Sequence, residues 1–296
     1  MFARIAAIAL ALLAGPASAQ ARLPAGPPVR DLLAACDGKD GWADPAPPVR
    51  VFANVYQVGT CGITVLLLAG DEGHVLIDSG PLEAAPLVAA NIQALGFALG
   101  DVEWIVTSHE HHDHVGGVAE LKRLTGARLA ARAAAKGPLE SGRLDWRDPQ
   151  AELKQTFAGA AVERILHDGE RLVLGNVDLT VHATPGHSPG STSWSWRSCD
   201  ERECRAMVYA DSVTAVSADG YRFSRQPVYV DAFARSLGKI AALPCEILLT
   251  PHPSASDLHA RLAGERRLVD ADGCLDYALA GQTALEARLA REGPGR

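Results

Sequence analysis

The sequence predicts an α/β (α+β) protein in which two mixed β-sheets face each other and helices cover their outer sides. Three observations predict it: apolar, β-rich runs bounded by glycine turns, helix-patterned segments between some of them, and a recurrence of that order in the second half of the chain. At 296 residues, 48% hydrophobic and 21% charged, the chain is long enough for a sizeable core in one large domain or two small ones.

Taken in order, the chain opens with MFARIAAIALALLAGPASAQ, in which a basic Arg4 precedes an apolar run from Ile5 to Ala14 and a small-residue A-S-A. This reads as a secretory signal peptide over 1–19, cleaved after Ala19, leaving 20–296 as an exported, periplasmic protein. The run is too short for a membrane span, and no later segment offers roughly 18 uninterrupted apolar residues, so no membrane association is expected after cleavage. Pro- and Gly-rich stretches (LPAGPPVR, ADPAPPVR) then lead into VFANVYQVG, GITVLLLAG and GHVLIDSG, which read as consecutive strands with glycine turns. PLEAAPLVAANIQALG follows as a helix, VEWIVTS as a strand, and GGVAELKRLTG as a helix with Leu121 and Leu124 three apart. The segment from Ala133 to Ala160 is polar and irregular and is expected to form a loop over the site. ERLVLG, VDLTVHATP, STSWSWR and AMVYADS read as strands, DAFARSLGKIAAL as a helix, EILLTPHP as a last strand with its loop, and CLDYALAGQTALEARLARE as a closing helix.

Six cysteines fit an oxidising compartment. Cys36, Cys61, Cys199, Cys204, Cys245 and Cys274 permit fifteen pairings, among which sequence alone does not choose. Locality favours one: CDEREC lies between two strand-like runs, so Cys199 and Cys204 would close a hairpin, with Cys36–Cys61 and Cys245–Cys274 following. There is no C-x-x-C to suggest a cysteine zinc site. The formal charge of −7 becomes −8 once Arg4 leaves with the signal, 27 bases then facing 35 acids. With no basic run, a nucleic-acid partner is not expected.

The chemistry is concentrated in TSHEHHDHVGG, four histidines and two acids between His109 and His114. It sits where a strand gives way to a helix, a common place for ligand sites in α/β proteins. In an extended loop His109 and His111 point the same way and reach one metal, whereas Asp113 and His114 follow where Gly116 and Gly117 assist a turn and face a second. His112, with the opposite parity, points elsewhere. Imidazoles crowded in this way repel one another once protonated, and a metal makes the crowding favourable. His187 in ATPGHSPGST and His252 in LTPHPS each end a strand between prolines that stiffen the loop. His74, His167, His182 and His259 have no such context and read as ordinary surface or core residues.

H-x-H-x-D-H at 109–114, G-H at 186–187 and the late His252 together resemble the metallo-β-lactamase superfamily, whose αββα sandwich matches the layers above, and within it subclass B3 in particular. Where other β-lactamases of the superfamily place a zinc-binding cysteine, YADSVTA carries Ser212, and TPGHSPGSTSW and TPHPSAS are similar to that subclass. The resemblance implies two Zn²⁺ per chain, one held by His109, His111 and His187 and the other by Asp113, His114 and His252. It implies that Ser212 and Thr214 hold a substrate carboxylate, that Gln150 reaches the substrate from the irregular segment, and that Asp113 orients a zinc-bound hydroxide. The implied activity is β-lactam ring opening in penicillins, cephalosporins and carbapenems by a monomer, without a covalent acyl-enzyme, conferring antibiotic resistance.

Two stretches suggest serine chemistry instead. Gly186–Gly190 matches G-x-S-x-G, but the oxyanion donor after the serine would be Pro189, which has no N–H. Ser236–Lys239 matches S-x-x-K, but K-T-G and S-D-N are absent. The alternative within the superfamily is a thioesterase or lactonase in which Asp211 bridges two metals.

Overall fold

The computed structural model describes residues 23–293, so the signal segment 1–19 lies outside the described residues. Seven strands form the first sheet in sequential order: β1 (Val49–Phe52), β2 (Val55–Gln57), β3 (Leu66–Ala69), β4 (His74–Ile77), β5 (Val102–Val106), β6 (Arg128–Arg132) and β7 (Arg164–Leu166). β1 to β4 form an antiparallel meander, and β4 to β7 pair in parallel. The second sheet runs β12 (Ile247–Leu249), β11 (Cys204–Tyr209), β10 (Thr192–Cys199), β9 (Val177–Ala183), β8 (Arg171–Leu174), antiparallel except for the parallel pair β11–β12.

Alternation along the strands builds the layers. Leu66 and Leu68 point inward to meet Val181, Trp194 and Tyr209 from the facing sheet, whereas Leu67 points outward to meet Val88, Ile92 and Leu121. The last three belong to α2 (Ala85–Ala94) and α4 (Val118–Thr125), which with α5 (Ala133–Ser141) cover the first sheet. Val208 and Leu248 likewise turn outward against Phe233, Leu237 and Leu285 of α6 (Pro227–Ala241) and α8 (Gly273–Glu292). The result is helix, sheet, sheet, helix, as expected. Strands buried on both faces explain the unbroken apolar runs of β3 and β4.

The expectation differs from the structure in several places. VFANVYQVG is a hairpin rather than one strand, because Ala53 turns the chain with φ 45° and splits β1 from β2. The segment from Ala133 to Ala160 is not wholly irregular: it begins with α5, which Gly137 and Pro138 disguise by breaking the helical pattern. Four further elements carried too weak a pattern to be read: β6 (RLAAR), β7 (RIL), α1 (Val29–Ala35) and α7 (Leu258–Leu262).

All three disulfides pair as locality favours, Cys36–Cys61, Cys199–Cys204 and Cys245–Cys274. Cys36–Cys61 pins α1 beside β2 and packs with Leu32, Ala46 and Val49 in a small satellite core. Replacing Cys36 and Cys61 by serine should therefore cost about 2–4 kcal/mol in chemical denaturation, with the largest gain in amide exchange confined to residues 29–61.

Candidate metal centre

Strand direction brings the loops to one edge. β9, β11 and β12 run the same way, as do β4 and β5; the segments after β5, β9 and β12 supply His109, His111, Asp113, His114, His187 and His252, and those after β4 and β11 supply Asp78 and Asp211. After β5 the chain stays extended through His111 and then makes a single helical turn, α3 (His112–Val115). The turn is possible because Gly116 has no side chain: a Cβ there would lie 2.4 Å from the His112 carbonyl and 2.9 Å from the Leu82 nitrogen.

Two groups of donors result. The donor atoms of His109, His111 and His187 lie within 4.8 Å of one another, with His111 Nδ1 3.1 Å from His187 Nε2. Beside them, His114 Nε2 is 3.3 Å from His252 Nε2 and 3.1 Å from Asp113 Oδ2, which is 3.5 Å from His252 Nε2. The groups adjoin, since donors of His109, Asp113 and His114 also lie within 4.8 Å. His112 stands outside both and packs edge-on against Trp42.

Four of the five imidazoles in the two groups are hydrogen-bonded at the outer nitrogen. His109 Nδ1 bonds to Asp211 Oδ1 (2.8 Å), His111 Nε2 to Asp148 Oδ2 (3.1 Å), His187 Nδ1 to the Thr214 carbonyl (3.0 Å) and His252 Nδ1 to the Gly62 carbonyl (3.1 Å). His114 Nδ1 faces Asp78 at 3.5 Å. A neutral ring that donates outward presents a lone pair inward, and His114 does so once it has lost its proton. The inward Nε2 of His109 is buried with no protein partner, an orphan that a cation would satisfy. Imidazole nitrogens with one carboxylate suit a borderline divalent metal such as zinc.

The acids behind the rings are buried and organised. Asp78, in the left-handed region at φ 66°, accepts from the Ser108 amide (2.6 Å), the Ser108 hydroxyl (2.7 Å) and the Tyr209 hydroxyl (2.7 Å). Glu110 points away from the donors and accepts from Ser188 Oγ (2.6 Å) and the Gly190 amide (2.9 Å), joining the two histidine loops. A Cβ on Gly190 would come within 2.4 Å of that carboxylate. Burial pushes Asp211 up to about 7 and, with His111 adjacent, pulls His187 down to about 3. Burial works against the charge of His114, but the carboxylates of Asp113 and Asp78 outweigh it and hold the ring up to about 10. Burial also opposes ionisation of Asp113, yet His114 and His252 keep its carboxyl well below the usual range.

Of the residues expected to meet substrate, Gln150 places Nε2 3.4 Å from His111 Nδ1, at the first group. The Thr214 hydroxyl is 3.0 Å from His187 Nδ1, so it backs a ring as well as facing solvent. Ser212 is buried, and no partner for its hydroxyl is found among the described residues. Asp148, Asp78 and Glu110 were missed by sequence reasoning. Asp148, two residues before Gln150 in DPQ, offered the one usable hint, an acid beside a residue already under consideration.

Residues 58–200 match the metallo-beta-lactamase superfamily. Among solved structures the chain is similar to the metallo-β-lactamase MIM-1 from Novosphingobium pentaromativorans, at 52% identity, covering 88% of this chain and 97% of that one, with a TM-score of 0.87. It is similar also to MEM-A1, a subclass B3 metallo-β-lactamase from a soil metagenome library, at 39% identity over 85% and 98% of the two chains, TM-score 0.82. Among curated proteins it is 28% identical to the hydroxyacylglutathione hydrolase of Cereibacter sphaeroides over 68% of this chain and 69% of that protein. It spans about half the length of two such hydrolases from Pseudomonas. A sandwich with a histidine-rich donor set at one edge defines a class of hydrolases, and the chain belongs to the metallo-β-lactamase superfamily. Within the superfamily its resemblance is to subclass B3.

A ring held near pKa 10 keeps its proton at neutral pH until a metal displaces it. Loading metal-free protein with zinc at pH 7 should therefore release about one proton from His114, read calorimetrically in buffers of different ionisation enthalpy. The proton competes less as pH rises, so affinity at this group should tighten from pH 7 towards 10. His114→Ala should abolish this release and weaken metal binding at this group, whereas His112→Ala should alter neither.

Proposed function

We propose that the protein is an exported dizinc β-lactamase of subclass B3 that opens the ring of penicillins, cephalosporins and carbapenems in the periplasm. The observation that carries this reading is the double set of inward-facing donors, four of its five rings fixed by an outward bond, in a chain that matches solved metallo-β-lactamases nearly end to end. His109, His111 and His187 would hold one zinc, and Asp113, His114 and His252 the other. The metals supply Lewis acidity and lower the pKa of bound water to about 7.

The chain's own groups do the rest. Asp113 accepts a hydrogen bond from the attacking water and orients it. Ser212 donates its hydroxyl to the carboxylate beside the lactam nitrogen, Thr214 adds a second hydroxyl, and Gln150 offers its amide N–H to the substrate. Water protonates the departing nitrogen. No acyl-enzyme is required, and the two candidate serines are already committed: Ser188 Oγ donates to Glu110 and Ser236 Oγ to the Pro185 carbonyl at 2.7 Å. Export is supported by the N-terminal composition and the three disulfides, and no helix among the described residues is long and apolar enough to cross a membrane.

The second reading, a thioesterase, draws on the curated hydroxyacylglutathione hydrolases. It requires Asp211 between the metals. Asp211 instead meets His109 from behind, at the nitrogen turned away from the donors.

Purified protein should bind about two zinc ions per chain, hydrolyse a chromogenic cephalosporin and lose that activity on chelation. A hydroxyacylglutathione thioester should be a poor substrate; the reverse preference would replace the first reading with the second. Ser212→Ala should raise KM for cephalosporins by the equivalent of about 1–3 kcal/mol with little change for a neutral ester. Asp211→Asn should weaken zinc binding about 10- to 100-fold, as expected of a group behind a ligand, and a metal-free variant would favour the bridging role.

A further inference from the structure

The stretch between β11 and α6, residues 210–226, is 17 residues long and has one short helical turn, Phe223–Arg225. It begins at Asp211, Ser212 and Thr214 and passes close to Pro149, whose carbonyl accepts from the Ala218 amide at 2.9 Å. The two functional ends of the loop are thus the Thr214 carbonyl that orients His187 and the contact beside Gln150. Its own backbone bonds are few, and a loop this long is not held by sequence-local contacts.

The start of this loop is held by Tyr277 of α8, whose hydroxyl donates to the Asp211 carbonyl (3.2 Å), and by the buried Val213; its middle is held mainly by Arg288 of the same helix. Arg288 Nη1 donates to the Ala215 carbonyl (3.1 Å), and Nη2 donates to Ser217 Oγ (2.7 Å) and the Tyr221 carbonyl (3.3 Å). Nε donates to Glu292 Oε1 (2.5 Å), one turn on, and Glu292 Oε2 accepts from the Ser224 amide (2.7 Å). The guanidinium carbon lies 5.2 Å from the centroid of the buried Phe223 ring. Both partners are well covered, with 19% of the Arg288 side chain and 2% of Glu292 exposed. The planar fork meets three acceptors spread over seven residues of loop, which an ammonium cannot reproduce.

We propose that Arg288, braced by Glu292, is a positioning residue that sets the site-facing loop and through it the Thr214–His187 contact and the Pro149–Gln150 segment. Its effect on catalysis rests on the β-lactamase reading; its effect on the loop does not. Two readouts keep these apart.

Hydrogen exchange of the zinc-loaded protein reads the loop directly. Arg288→Ala should raise exchange of the amides from Ala215 to Ser224 at least tenfold, with both sheets unchanged, and Arg288→Lys should recover only part of the protection. Unchanged exchange in Arg288→Ala, or full recovery with lysine, would overturn the proposal. Steady-state kinetics reads the consequence: KM for a cephalosporin should rise at least fivefold in Arg288→Ala, with kcat changed less than KM, and KM for a neutral ester should stay put. Equal loss on both substrates alongside a loosened core would mean a general stabilising role and would also overturn it. Ser217→Ala removes one acceptor without touching the helix and serves if Arg288→Ala does not fold. It should give a smaller rise in the same exchange window, and that rise should vanish against Arg288→Lys if the two act as one unit. Altered exchange with no β-lactam turnover in any form would sink the function proposed above and leave the clamp standing.

Discussion

Five imidazoles lie within a few ångströms of one another, and outward bonds to Asp211, Asp148, Thr214 and Gly62 decide which nitrogen carries the proton in four of them, while Asp78 faces the fifth, His114. Everything else at the edge of the sandwich serves this arrangement. The anchors come from four different parts of the chain, with Asp211 and Thr214 sharing one stretch, so no single loop can define the site. Two packed sheets hold those parts in register because their strands interlock across a dry interior of leucine, valine, tryptophan and tyrosine.

Such an arrangement is electrostatically expensive. Asp78, Glu110, Asp148 and Asp211 are all shielded from water, and a buried carboxylate without partners would be intolerable. Each is matched to donors: Asp78 to three, Glu110 to a hydroxyl and an amide, Asp148 to His111 and the Gln150 amide, Asp211 to His109 through Oδ1. The negative charge beneath the histidines offsets what a pair of divalent cations would bring above them. The acids and the rings are therefore a single electrostatic unit, and removing an acid should disturb the ring in front of it more than the fold around it.

What the sequence discloses follows from this division. β3 and β4 are legible because burial on both faces leaves nearly continuous apolar runs, and β9 and β10 because burial on one face marks alternate positions along part of each strand. β6 is not, because arginine and alanine leave no such imprint, and α5 is not, because Gly137 and Pro138 sit inside it. The inward-facing histidines are legible because they cluster or stand between prolines. The residues behind them are invisible for a physical reason: Asp148 lies 37 positions from the ring it ties and Asp78 lies 36 from His114, and nothing in DPQ or DSG says which surface will come to meet it. Thr214 is a mixed case, its hydroxyl expected to face substrate while the structure also sets it against His187.

The sequence distances across the site carry a consequence for folding order. His111 meets His187 across 76 residues, His109 meets Asp211 across 102, His114 meets His252 across 138, and His252 reaches Gly62 across 190. Contacts of such separation close large loops and form only once most chain entropy has already been surrendered. By this argument the meander β1–β4 and the hairpin β10–β11, whose partners are near in sequence, are expected to form early and the histidine edge late. Interactions that arise after the rate-limiting step slow unfolding without hastening folding. The edge that carries the donors is thus also a latch on the closed sandwich, setting how long the folded chain persists more than how quickly it is reached.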